Sequence, residues 1–287
     1  MKYFLCLGAF FSQIIILQKR GERQKVKKTL KVMALICIAV FLAIQVSATE
    51  ISSWYCIRNK NHNQPTLAKE WKLIEKYDVF WVDKARSDFS SDDKVVYLTF
   101  DAGYENGNVE KIVDVLNKEN VKGVFFVLDN ILLKNKDLIT KMIENGHTVA
   151  NHTAKHKNMT KIKDKNEFER ELKSLEELYE REYGEKMARI YRPPEGRVNE
   201  QNLIWLESLG YKTVMWSFAY ADWDNDRQMS PEKAKEKILE NLHNGEVMLL
   251  HPTSSTNAEI IEDLIKTLKA QGFRFGEIEE LFENCEK

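Results

Sequence analysis

The chain has 287 residues, 43% hydrophobic and 30% charged, enough for a packed core in one large domain or two small ones. The net charge of −1 hides an asymmetry: residues 1–48 hold eight Lys/Arg and one acid, so the rest carries 35 basic against 43 acidic residues, a net charge of −8. An acidic body argues against a phosphate-tracking nucleic-acid binder, which needs a basic face.

The basic leader reads as a targeting feature. Lys25, Lys27, Lys28 and Lys31 precede the apolar run VMALICIAVFLAIQVSA (32–48), which ends in Val46-Ser47-Ala48. That order of charge, apolar core and small residues fits an export signal cleaved after Ala48. The run is also nearly long enough to span a bilayer, so residues 1–48 are read as a signal peptide or a membrane anchor. A second apolar stretch, 1–17, lies ahead of it. It forms a hairpin of membrane helices with the first run, or it precedes the true start of translation near Val26. No Cys/His cluster indicates a structural zinc ribbon, and Cys56 and Cys285 form either a bridge or two free thiols. Residues 49–93, with Trp54, Trp71 and Trp81, read as a lead-in pinned by aromatic anchors to the outside of the main domain.

From Lys94 strands and helices alternate. VVYLTF (95–100) is a strand, and Val109, Ile112, Val113 and Leu116 follow helical spacing. VKGVFFV (121–127) is the next strand, followed by a helix over 135–145 closed by Gly146 and a strand HTVAN (147–151). Residues 166–184 form an amphipathic helix with Phe168, Leu172, Leu175 and Tyr179 on one face. Ile190-Tyr191 begins a short strand, Asn199 caps a helix to Leu209, and KTVMWS (212–217) is a strand. Ser230-Pro231-Glu232 starts a helix, VMLLH (247–251) is a buried strand, 257–271 is a helix and FRF (273–275) the last strand. This alternation predicts an α/β fold, a distorted (β/α) barrel of about seven parallel strands over 94–287, with its chemistry at the C-terminal strand ends.

Polar residues collect at those ends: Asp101, His152 with His156 four residues on, Arg192, Asp222 with Trp223, and His251. Singly, each has an ordinary reading, such as a turn former, a surface ion pair or a core histidine. Six on one rim are hard to attribute to packing. His62, His147 and His243 lack such company and receive no role.

Together the segments TFDAGYENG (99–107), HTAKH (152–156), RPPEG (192–196), ADW (221–223) and LLHP (249–252) resemble the NodB homology domain of polysaccharide deacetylases, over about 94–283. The form YLTFDAGYENG with later DW and LLH looks most like the δ-lactam-forming branch. The resemblance implies a NodB-like barrel and removal of the acetyl group from N-acetylmuramic acid in peptidoglycan during spore-cortex synthesis. It makes Asp101 the base that activates water, His251 the acid that protonates the leaving amine, and His152 and His156 ligands of a divalent metal (Zn, Mn or Mg). Arg192 would orient Asp101 and keep it ionised, and Asp222 would favour the protonated form of His251. The backbone N–H of Glu195 would help hold the oxyanion, while Tyr104 and Trp223 would meet the sugar. The family pattern has a second Asp where this chain has Ala102, so one anionic metal ligand is lost and affinity should fall. The alternatives are an N-acetylglucosamine deacetylase of peptidoglycan or chitin-like glycan, and a non-catalytic wall-binding pseudoenzyme, for which Ala102 speaks. A glycosidase would need two carboxylates, Asp101 and Asp222, and would leave the histidines idle. The expected partner is peptidoglycan glycan rather than nucleic acid. The expected location is the extracytoplasmic face, cell wall or spore cortex, with membrane attachment through the leader as an open alternative.

Overall fold

The computed structural model describes Met33 and residues 53–285. The leader readings therefore fall outside the described residues, Met33 apart. No helix among the described residues is long and apolar enough to cross a membrane.

Residues from 53 onward belong to one compact unit. A two-stranded ribbon, β1 (Cys56–Ile57) and β2 (Thr66–Leu67), precedes an eight-stranded sheet. The sheet contains β3 (Val79–Phe80), β4 (Lys94–Ala102), β5 (Val124–Val127), β6 (Thr148–Asn151), β7 (Ile190–Tyr191), β8 (Lys212–Val214), β9 (Glu246–Leu250) and β10 (Phe273–Phe275). Every pairing between these strands is parallel, in the order β10-β4-β5-β6-β7-β8-β3. β9 lies along the other side of β4, since Thr99 and Phe100 pair with both β5 and β9. The chain after β8 then reaches β9: Ser217 N–H donates to Val247 O and Leu249 N–H to Phe218 O, each at 2.9 Å. That contact closes the sheet into the distorted barrel.

The helices are α1 (Val109–Lys118), α2 (Asp129–Lys134), α3 (Lys136–Glu144), α4 (Lys165–Tyr183), α5 (Glu200–Ser208), α6 (Pro231–Asn241), α7 (Ser255–Ala270) and α8 (Ile278–Cys285). Their starts follow local chemistry. Asp164, Asn199, Ser230 and Ser254 each accept a backbone N–H three residues on, and Pro231 occupies the first turn of α6. Gly184, at φ 75°, ends α4 in the left-handed conformation that glycine adopts at no steric cost. The single helix expected over 135–145 is preceded by the short α2, and α8 has no counterpart in the sequence reading.

Period-two alternation sorts β4 between two cores. Val95 and Tyr97 pack inside the barrel with Phe126, Ile190, Val214 and Val247. Val96, Leu98, Phe100 and Ala102 face outward beneath α1 and α7, against Ile112, Leu116, Ile261 and Leu264.

All seven strands expected over 94–287 form. The eighth, β3, comes from the lead-in, which corrects the expectation of a segment packed on the outside. Trp71 is fully buried, and Trp54 meets Trp71 and Trp81 edge-on at 5.0 and 5.6 Å. These rings share a core with Phe168, Leu172, Leu203 and Leu206 of α4 and α5. With β3 paired to β8 and these rings clustered against α4 and α5, the lead-in shares the domain's sheet and packing. Cys56 is a free thiol bonded to Ser217 O at 3.3 Å, and burial pushes it up to about 12.

Candidate active site

Strand register assembles the site. Phe100 pairs with Leu250, so Asp101 near the end of β4 and His251 just past the end of β9 are the next residues along the two strands. Val127 pairs with Asn151 and Asn151 with Tyr191, which brings His152 and Arg192 to the ends of β6 and β7. Asp101, His152, His156, His251, Tyr104, Glu195 and Trp223 all line one cleft of about 800 Å³. Arg192 and Asp222 stand behind its wall, 0% and 1% exposed.

Arg192 anchors one side. Nη1 donates to Asp101 Oδ1 at 2.9 Å, Nη2 to Thr99 Oγ1 at 2.8 Å and Met215 O at 3.2 Å, and Nε to Val214 O at 3.0 Å. Its guanidinium lies 4.1 Å from the Phe126 ring centre. A buried guanidinium with its donors so engaged is a fixed charge. Burial by itself would raise the Asp101 carboxyl, but the charges of His152, Arg192 and His251 and the Arg192 hydrogen bond outweigh it and hold Asp101 below its ordinary value. Asp101 is therefore an ionised acceptor at neutral pH.

Asp222 anchors the other side. Its Oδ1 lies 2.7 Å from His251 Nδ1, and Oδ2 accepts from the His251 backbone N–H at 2.8 Å and from Asn257 Nδ2 at 2.7 Å. Nδ1 is thereby committed, leaving Nε2 for the cleft. Burial alone would lower His251; the hydrogen bond and charge of Asp222, with the charge of Asp101, outweigh it and raise His251 above its ordinary value.

His152 Nδ1 donates to Arg192 O at 2.8 Å, and its Nε2 lies 3.6 Å from Asp101 Oδ2. Burial takes its pKa down to about 4 against the pull of Asp101, so the ring is neutral at pH 7. The His152 and His156 rings stand edge-on, 5.0 Å apart at their centres. Two imidazoles, one of them with its far nitrogen tied to a carbonyl, fit a divalent ion as a partial seat. Among the described residues no group of three or more His, Cys, Asp or Glu is arranged to hold a metal. Ala102, where the third donor would be expected, is fully buried in the outer core.

Glu195 carries its backbone at φ 58°, ψ 14° at the cleft wall. Gly196 follows at φ 63°, where a Cβ would meet Trp216 Cη2 at 2.8 Å and Trp54 Cβ at 2.9 Å. Trp223 is 61% exposed, its ring centre 6.1 Å from that of His251. Tyr104 accepts a hydrogen bond from Asn225 Nδ2 at 2.6 Å across the mouth.

The sequence reading missed Asn257, Thr99, and the lead-in residues Trp54, Tyr55 and Arg58 that line the cleft. Thr99 was recoverable, lying two residues before Asp101 and so on the same strand face. The lead-in residues carry no local signal, because only folding brings them to the cleft.

A family model described as polysaccharide deacetylase matches residues 89–214. The Bacillus subtilis peptidoglycan-N-acetylmuramic acid deacetylase PdaA is 37% identical over 259 residues, 88% of this chain and 96% of its own. This chain belongs to the polysaccharide deacetylase family. A solved structure of Bacillus subtilis PdaA, described as a family 4 carbohydrate esterase, matches with a TM-score of 0.76 at 36% identity, over 83% of this chain and 99% of that one. A Bacillus cereus peptidoglycan-N-acetylglucosamine deacetylase is 29% identical over 213 residues, 72% of this chain and 76% of its own. The deacetylase is thus a hydrolase of N-acetyl groups on carbohydrate, on the PdaA-like side of its family.

Proposed function

We propose that this deacetylase removes the acetyl group from N-acetylmuramic acid in peptidoglycan, at the extracytoplasmic face, for muramic δ-lactam formation in the spore cortex. The kinship with PdaA, closer than that with the N-acetylglucosamine enzyme, favours this substrate. The observation that carries the chemistry is the pairing of Asp101, held ionised, with His251, raised toward its protonated form, on neighbouring strand ends in one cleft.

Amide hydrolysis needs an activated water, a stabilised oxyanion and a proton for the leaving nitrogen. Asp101 takes the proton from water as the oxygen attacks the acetyl carbon, and Arg192 keeps the carboxylate aimed. The C–N bond breaks as His251 Nε2 protonates the sugar nitrogen, with Asp222 steadying the imidazolium. The Glu195 N–H would stabilise the oxyanion, a contribution of about 3 kcal/mol. His152 and His156 would hold a divalent ion, which when bound polarises the acetyl carbonyl. Trp223 and Tyr104 would flank the sugar. The basic, apolar leader of residues 1–48 would deliver the enzyme across the membrane, as a cleaved signal or an anchor.

The test is acetate release from peptide-free peptidoglycan strands, with and without chelator and added Zn²⁺, Mn²⁺ or Mg²⁺. Release mapped to muramic acid residues is expected; release confined to N-acetylglucosamine residues, or none under any condition, sinks the proposal.

A further inference from the structure

The catalytic groups account for the acetamide but not for what distinguishes one N-acetyl sugar from another. Among the described residues lining the cleft, Arg58 is the one lysine or arginine. It is exposed and comes from the lead-in, immediately after β1. Its fork is already held in place: Nη2 donates to Ala219 O at 2.6 Å, Nη1 to Asn241 Oδ1 at 3.3 Å, and the guanidinium lies 5.1 Å from the Phe218 ring centre. A guanidinium offers five N–H donors, so these two bonds leave most of the fork open. Among the described residues no carboxylate forms an ion pair with it. Glu246 feels its charge but is fully buried and accepts from the His243 N–H. Every other charge at the site is partnered: Asp101 by Arg192, His251 by Asp222, Glu195 by Arg197.

A positioned cation without an acid on the wall of a substrate cleft is complementary to an anion on the substrate. Muramic acid differs from glucosamine by a lactyl ether on the carbon next to the one bearing the acetamide. Peptide-free, that ether ends in a carboxylate. Arg58 Nη2 is bonded to residue 219, three positions before Asp222, the holder of His251, so the cation and the acid belong to the same wall. We propose that Arg58 binds the lactyl carboxylate of N-acetylmuramic acid and is the residue that selects this sugar over N-acetylglucosamine. The proposal rests on the muramic acid reading above. It makes Arg58 a binding residue, preorganised so that little side-chain freedom is lost on engagement.

The test uses the full chain and three substrates: peptide-free glycan with free lactyl carboxylates, the same glycan after methyl esterification of those carboxylates, and N-acetylglucosamine oligomers. Acetate release from the first by the parent enzyme, mapped to its muramic acid residues, decides the muramic acid reading. The parent should then prefer the acid over its ester. Arg58→Gln should shrink that preference about tenfold, the scale of one lost charge-assisted hydrogen bond, through KM rather than kcat. Arg58→Lys should restore part of it. A parent indifferent to esterification, or an Arg58→Gln enzyme with the preference intact, overturns the role of Arg58 and leaves the reading standing. A parent active only on the N-acetylglucosamine oligomers removes both.

Discussion

The two sides of the cleft solve one problem with opposite charges. On one side the working group is an acid, Asp101, and its holder is a cation, Arg192; on the other the working group is His251 and the holder an acid, Asp222. In both, the holder is the more buried partner, with side-chain exposures of 0% against 11% and 1% against 24%. Each holder is also tied down by further bonds, to Thr99, Val214 and Met215 for Arg192, and to Asn257 and the His251 backbone for Asp222. The lesson is a division of labour. The group proposed to move a proton keeps some access to the cleft, while the group that would set its protonation state is fixed in low dielectric, where a single charge acts strongly.

Removing the working groups should have the largest effect. Asp101→Asn and His251→Ala should each cut kcat for acetate release by about 100-fold to 10,000-fold, with circular dichroism unchanged. If one variant keeps near-parental turnover, the two-sided arrangement is wrong. Next come the holders. Arg192→Ala strands the part-buried Asp101 carboxylate and removes a fully buried guanidinium, and should lower unfolding stability by about 3–5 kcal/mol in urea titrations. A change below 1 kcal/mol would show that the cation is not the anchor.

Asp222→Asn tests the other holder through pH. An acid catalyst must be protonated, so kcat/KM is lost as pH rises through the His251 value. The charge and hydrogen bond of Asp222 raise that value, placing the alkaline limb above the ordinary 6.5. Removing the charge should move the limb to lower pH, and an unmoved limb would deny Asp222 its role. The smallest effect is expected at the imidazole pair, where no third donor among the described residues completes the seat. His156→Ala should weaken Zn²⁺ binding about tenfold in calorimetry, with the fold unaffected. Equal affinity in parent and variant would remove His156 from the seat.

Where local chemistry and tertiary packing point the same way, the sequence is legible. The α4 helix reads from its apolar stripe and from Gly184 at its end, because 3.6-residue periodicity and helix termination are properties of neighbouring residues, whereas its Asp164 cap is seen only in the structure. The strands of 94–275 read from short β-rich runs, and the polar residues at their ends read from their order. β3 is two residues long, and α8 lies among residues with no cap signal; both form because the barrel offers them a partner, β8 for one and the barrel interior for the other.

Amino-acid order by itself determined the alternating α/β plan, the seven strands after Lys94 and the chemistry-bearing residue types at their ends, since these follow from spacing along the chain. Tertiary structure alone decided that Trp54, Trp71 and Trp81 form a core, that Arg58 reaches the cleft, and that Ala102 faces the outer core. The reason is physical. Register and burial depend on which distant segment supplies the complementary surface, and that information is spread over the whole chain.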